Sequence, residues 1–255
     1  MNTLSMKPFG LQISGTPDKN LSNLFDGKVL REFVQQHRIV LLRGFASIHR
    51  NELIDYAKTI GSLLQWEFGN VMEMQAHEKP TNYLFTHGHV PLHWDGAFHQ
   101  VPRFLLFNCI QAPLANSGGE TFFSNTNKIW LDANKDEKKL WENYKLTYTT
   151  EKLAHYGGTI TSPLVQQHPD KNEMILRFAE PVLPPMLNPV SVSMNHVNEK
   201  QFIQVMSTRC NDAKYCYVHT WQENDFLLAD NHALLHGRNA FKNFSPRHLR
   251  RIQIL

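Results

Sequence analysis

The sequence predicts a mainly β domain with helices flanking it, and three observations carry that prediction. Short apolar runs and segments of alternating polarity outnumber stretches with helical spacing. Proline and glycine punctuate the chain, notably at Pro80, Pro91, Pro102, Pro113, Gly118-Gly119, Gly157-Gly158 and the cluster Pro181, Pro184, Pro185 and Pro189, yet no interruption reaches linker length. No internal repeat or low-complexity tract divides the 255 residues, a length that β barrels commonly fill as one domain. Residues 1–255 are therefore expected to form a single domain.

In chain order, the apolar run at 39–45 predicts the first strand, and Leu53, Ile54 and Ala57 share a face of a helix over 50–60 that Gly61 stops. Strands are expected at 104–110, an apolar run, and at 120–123, directly after Gly118-Gly119. A helical pattern over 128–144 is broken in the middle by residues 134–137. Further strands follow at 145–150, 173–178, 215–220 and 248–255, with one more helix over 198–209.

Composition narrows the function classes. The 26 basic residues against 23 acidic ones give a net charge of +3, too weak and dispersed for a nucleic-acid footprint. A small-molecule substrate is the expected partner, and a homo-oligomer stays open. Cys109, Cys210 and Cys216 form neither an even set nor a Cys-x-x-Cys pair, which argues against a disulfide framework or zinc knuckle and fits a reducing compartment. The first residues lack a basic segment followed by an apolar run, and no stretch approaches the roughly 20 apolar residues of a membrane span. A cytoplasmic protein without a membrane partner is expected.

His93 and Asp95 in Pro91-Leu92-His93-Trp94-Asp95-Gly96 are the most informative pair. On an extended segment residues i and i+2 point to one face, so imidazole and carboxylate can bind one ion while Trp94 points elsewhere. His236 lies 143 positions downstream, in Leu234-Leu235-His236-Gly237-Arg238. Two imidazoles and one carboxylate form the facial triad that holds ferrous iron and leaves positions open for substrate and oxygen. Taken singly, His-x-Asp is also what chance provides in a chain with 14 histidines, and His236 suits a satisfied core histidine at a strand end. Arg247 and Arg251 follow His236 at offsets of 11 and 15, where a guanidinium could grip a dicarboxylate with two parallel hydrogen bonds.

These residues resemble the TauD/TfdA family of iron(II)- and 2-oxoglutarate-dependent dioxygenases. The matching stretches are His93-Trp94-Asp95, Gly118-Gly119-Glu120-Thr121, the segment DNHALLHGR at 230–238 and the closing SPRHLRRIQIL at 245–255. The resemblance implies a double-stranded β-helix, or jelly roll, with helices outside. It implies iron ligation by His93, Asp95 and His236, and places Arg247 and Thr121 on 2-oxoglutarate, with molecular oxygen as the other co-substrate. Glycines at 118 and 119 would let the backbone turn tightly into the site, although standing alone the pair favours a plain hairpin turn. Halogenating relatives replace the carboxylate ligand with alanine or glycine, so the retained Asp95 favours hydroxylation, desaturation or oxidative decarboxylation.

For the substrate, the resemblance directs attention to residues 66–74, 84–89 and Phe98. Trp66, Phe68, Met72, Phe85 and Phe98 suit an aromatic or apolar body, while ordinary core packing accounts for any one of them. Arg251 shares a face with Arg247 if the terminal segment is extended, and either binds the substrate's acid group or is a solvated strand-end residue. His87, His89 and His99 crowd this region, and His89 is a candidate substrate contact. The segment WEFGN at 66–70, the HWDG form of the first motif and ADNHALLHGR at 229–238 are most similar to PvcB-like isonitrile-modifying enzymes, which implies an acid derived from tyrosine or tryptophan in secondary metabolism. A taurine- or aryloxyalkanoate-type catabolic dioxygenase and a non-catalytic cupin-like binding protein are the alternatives.

Overall fold

A computed structural model describes residues 2–151, 157–194, 196 and 198–255. Its larger sheet orders β1 (Asn2–Ser5), β2 (Leu11–Ser14), β3 (Ile39–Arg43), β14 (Phe226–Asp230), β6 (Phe104–Gln111), β16 (His248–Ile254) and β4 (Val71–Gln75). Facing it is a sheet ordered β13 (Cys216–His219), β7 (Thr121–Asn125), β15 (Leu234–Arg238) and β5 (Val90–His93). A third sheet, β12 (Ser191–Met194), β8 (Lys145–Thr150) and β9 (Gly158–Pro163), and the hairpin of β10 (Val165–Gln167) and β11 (Met174–Leu176) complete a mainly β structure of the jelly-roll type. Pairing is antiparallel except between β2 and β3.

Strand alternation divides the core into layers. Leu41, Leu105, Phe107, Leu227 and Leu249 of the larger sheet meet Phe123 and Leu234 of the smaller one. Their neighbours Val40, Leu42, Leu106, Leu228 and Ile252 turn the other way. There they bury Leu30 and Val34 of α1 (Gly27–His37) and Leu53, Ala57 and Ile60 of α2 (Arg50–Ile60). Because both faces of β3, β6 and β14 are covered, these strands read as continuous apolar runs rather than alternating ones. On the outer side of the smaller sheet, Leu92, Phe122 and Leu235 pack with Leu146 and Tyr148. This layer also takes Ile129 of α3 (Thr126–Asp132), Trp141 of α4 (Lys135–Trp141) and Met206 of α5 (Glu199–Cys210).

The helix expected over 50–60 is α2, and the strand expected over 145–150 is β8. The pattern over 128–144 resolves into α3 and α4, because Asn134 caps α4 by accepting from the amides of Asp136 and Glu137 while Glu137 reaches back to the Asn134 amide. Helix α1 was not anticipated, although Leu30, Phe33 and Val34 mark its apolar face and Asp26 supplies an N-cap by accepting from the Lys28 amide. Segment 157–185 carries β9, β10 and β11, and Glu180 within it is tied in both directions to Leu92 of β5.

Candidate active site

β5 and β15 lie side by side with His93 opposite His236, which brings together two histidines far apart in the chain. Their rings sit 4.3 Å apart between centroids. Asp95 follows β5 by two residues, and its Oδ1 lies 3.6 Å from Nε2 of His93 and 3.7 Å from Nε2 of His236. One ligand atom from each residue falls within 4.8 Å of the others, so the three can hold a single metal ion.

The second layer prepares each donor. Nδ1 of His93 is 2.8 Å from the Pro91 carbonyl; a carbonyl only accepts, so Nδ1 carries the proton and the Nε2 lone pair is free for a metal. Burial, and then the neighbouring His93, hold the His236 imidazole well below its ordinary pKa, in the neutral ligating form. For Asp95 burial alone would raise the carboxyl pKa, but Arg251 foremost, with His93 and His236, overcomes it and holds the group well below the usual carboxylate range. The backbone of Asp95 is clasped by Asn231, whose Oδ1 accepts from the Asp95 amide at 3.0 Å and whose Nδ2 donates to its carbonyl at 3.2 Å. Gly96 follows with φ of +85°, where a Cβ would lie 2.3 Å from the Gln100 carbonyl oxygen, so the turn after Asp95 requires glycine.

Arg247 is buried against the start of β7. Its Nε donates to the Gly119 carbonyl at 2.9 Å and one terminal nitrogen donates to Oγ1 of Thr121 at 3.2 Å. A Cβ on Gly119 would come within 3.1 Å of the Arg247 side chain, and one on Gly118 within 2.0 Å of the Ala240 carbonyl oxygen. Both glycines have φ near +85°, so they form a turn and also permit close approach. Trp221 donates its indole N–H to the same Thr121 oxygen at 2.9 Å. No carboxylate lies within ion-pair distance of Arg247 among the described residues, which leaves this buried cation suited to an anionic ligand.

A cavity of about 230 Å³ opens beside His93 and Asp95, below the ~300–1,000 Å³ of drug-sized ligand pockets. Trp66, Phe68, Met72, Phe85, Phe98 and Arg251, all singled out from sequence, line it. Arg251 and Gln253 reach it from the same face of β16, and Arg251 donates to Asp95 at 3.0 Å and to the Met72 sulfur at 3.1 Å. His99 is also on the wall, whereas His87 packs on Phe241. His89, expected at the substrate, is exposed and off the cavity wall; its ring lies flat against Phe122 at 5.6 Å.

Several contributors were not read from sequence. Tyr148, Glu180 and Val190 of the cavity wall come from strands and loops whose approach to the site depends on tertiary packing. Asn231 was visible only as a turn former. Gln253 follows Arg251 by two on a strand, so the spacing that paired Arg247 with Arg251 would have found it.

A jelly roll carrying two imidazoles, one carboxylate and open space beside them defines a mononuclear non-haem iron oxygenase. The model of the taurine catabolism dioxygenase TauD, TfdA family matches residues 5–253, and the chain belongs to this family. It is an iron(II)- and 2-oxoglutarate-dependent dioxygenase, with molecular oxygen as co-substrate. It is 43% identical over 257 residues, 98% of this chain and 94% of the other, to a 3-((Z)-2-isocyanoethenyl)-1H-indole synthase of Fischerella ambigua. Identity is 35% over 255 residues, 96% of this chain and 87% of the other, to a tyrosine isonitrile desaturase of Pseudomonas aeruginosa. Among solved structures, PvcB, described as an Fe, alpha-ketoglutarate dependent oxygenase from an isonitrile synthetic pathway, superimposes with a TM-score of 0.80 at 31% identity, covering 99% of this chain and 90% of that one. No described helix is long and apolar enough to cross a membrane.

Proposed function

We propose that this dioxygenase oxidises a small, aromatic amino-acid-derived acid, an isonitrile of tyrosine or tryptophan, by hydroxylation, desaturation or oxidative decarboxylation in secondary metabolism. The observation that carries this reading is the aromatic cavity beside His93 and Asp95 with a single buried arginine, Arg251, on its wall. The relatives support it, since both are named for aromatic isonitrile chemistry.

In this reading His93, Asp95 and His236 hold Fe(II), and Arg247 with Thr121 holds the distal carboxylate of 2-oxoglutarate. Bound iron supplies the oxidation, with 2-oxoglutarate and oxygen consumed and succinate and carbon dioxide released. The chain's own part is placement. Phe98, Trp66 and Phe85 receive the ring and exclude water, while Arg251 draws the substrate's carboxylate toward the metal side of the cavity; its Nε, buried without a partner among the described residues, is a donor in reserve. Residues 1–255 act as one dioxygenase domain, which the family match over 5–253 supports. A cytoplasmic setting is favoured by the three buried free thiols Cys109, Cys210 and Cys216.

Oxygen-dependent succinate release, measured with tyrosine isonitrile, tryptophan isonitrile, taurine and aryloxyacetates, tests the substrate. Turnover with an isonitrile acid is expected. Activity confined to taurine or aryloxyacetates would replace this reading with a catabolic one, and stoichiometric iron binding without turnover on any of them would favour the cupin-like binding protein.

A further inference from the structure

The two oxygens of Asp95 are treated differently. Oδ1 is the oxygen that faces Nε2 of both His93 and His236. Oδ2 receives a hydrogen bond from Nε2 of Gln253 at 2.6 Å. Arg251 contacts both oxygens, at 3.2 Å to Oδ1 and 3.0 Å to Oδ2, so Gln253 is the partner that distinguishes them. Gln253 is 6% exposed, and its other end is committed: Oε1 accepts from the indole N–H of Trp66 at 2.7 Å. An indole nitrogen only donates and a carboxylate only accepts, so the amide has one satisfactory orientation, with its oxygen toward Trp66 and its nitrogen toward Asp95.

Trp66 is itself fixed. It opens a tight turn in which its amide and carbonyl bond to the carbonyl and amide of Gly69, at 3.1 and 3.0 Å, with Gly69 at φ of +97°. Its ring stacks on Phe68 and leans on His99 along the cavity wall. The segment WEFGN thereby acquires a task that pocket lining alone does not explain.

We propose that Gln253, oriented by Trp66, is a positioning residue that keeps Oδ2 of Asp95 off the metal, so that Asp95 gives iron one oxygen. This rests on the reading that His93, Asp95 and His236 bind Fe(II). A carboxylate free to swing can ligate through both oxygens and occupy a position that 2-oxoglutarate or oxygen needs. Arg251 cannot replace Gln253 in this task, because its guanidinium spans both oxygens and is also the cation offered to the substrate. When Arg251 turns toward a substrate carboxylate, Gln253 remains on Oδ2.

The test compares wild type, Gln253→Leu and Trp66→Phe in three measurements: anaerobic binding of Fe(II) alone, the visible charge-transfer band of the Fe(II) and 2-oxoglutarate complex, and the 2-oxoglutarate concentration that gives half-maximal turnover. In Gln253→Leu the expected result is Fe(II) affinity held or increased. The 2-oxoglutarate requirement rises roughly ten- to a hundredfold, as for loss of a hydrogen bond to a charged group, and the band weakens. Trp66→Phe, at a half-buried position that tolerates an aromatic exchange, shifts both 2-oxoglutarate readouts in the same direction by less. The double variant is no worse than Gln253→Leu, because the two residues act in series. An unchanged 2-oxoglutarate requirement and band in both variants overturns the proposal, as does a parallel loss of Fe(II) and 2-oxoglutarate binding. Failure of wild type to bind one Fe(II), or full binding by Asp95→Ala, overturns the iron-site reading first and this proposal with it.

Discussion

Replacing Arg247 with methionine separates a co-substrate grip from a structural role. Burial pulls the guanidinium down to about 9 from its ordinary value, which corresponds to a burial cost on the order of 5 kcal/mol at neutral pH. Opposing that are the bonds from Arg247 to the Gly119 carbonyl and to Thr121, worth about 1.5–3 kcal/mol each when the donor is charged. The terms nearly cancel, and methionine fills much of the same volume. Arg247→Met should therefore stay within about 2 kcal/mol of wild type in denaturant unfolding without co-substrate. Its effect on 2-oxoglutarate should be large, because truncating one partner of a buried charge pair costs about 2–5 kcal/mol. The Michaelis constant for 2-oxoglutarate, read from initial rates of succinate release, should then rise roughly thirty- to several-thousandfold. A variant destabilised by more than about 4 kcal/mol with an unchanged 2-oxoglutarate requirement would refute the reasoning and make Arg247 a structural residue.

Asp95→Asn should abolish substrate oxidation and weaken Fe(II) binding, as measured by metal titration. Asp95→Ala should do the same, and both variants should lose about 3 kcal/mol of stability, because in each the buried Arg251 lacks its counter-charge. Acid should weaken the fold in two stages. Burial, then Arg177, push the His232 pKa down to about 4, so its neutral form stabilises the fold fully above the unfolded value near 6.5, and about 3 kcal/mol is lost as pH falls toward 4. Burial opposes ionisation of Asp230, but His168 and Arg38 prevail and hold it at about 2; its contribution is lost below the ordinary aspartate value, as pH falls from about 4 toward 2. Urea unfolding at stepped pH checks both, and His232→Gln should flatten the upper stage only. Arg238 donates to the carbonyls of Leu84, Thr86 and Gly88, so Arg238→Met should speed amide hydrogen exchange across 84–88 while β15 stays protected; uniform exchange would count against a local tether.

Much of the fold was legible because burial on both faces writes itself as apolar runs, as in β3 and β6, and because α2 shows a clear apolar face closed by Gly61. Less was legible where pairing rather than periodicity makes the element. β1 and β2 are four-residue strands at a sheet edge, and β4 carries Glu73 among methionines, so little in their own composition marks them. The candidate ligands could be named from spacing because His93 and Asp95 are two apart, but the meeting of His93 with His236 depends on β5 pairing with β15, a register that no local pattern states.

The C-terminal strand shows why the site depends on register. Leu249 faces the layer between the sheets, and Arg251 and Gln253 continue on that side to Asp95, while Ile252 and Ile254 fill the helix-side core. His248 and Arg250 turn outward to Glu73 on β4. A slip of one residue would put Arg250 and Ile252 where Asp95 needs donors, and would bury Gln253 among the apolar residues of α2. The apolar pair Ile252 and Ile254 on one face thus fixes the polar pair Arg251 and Gln253 on the other. Stability and chemistry are specified by the same alternation, so the strand cannot shift to suit one without losing the other.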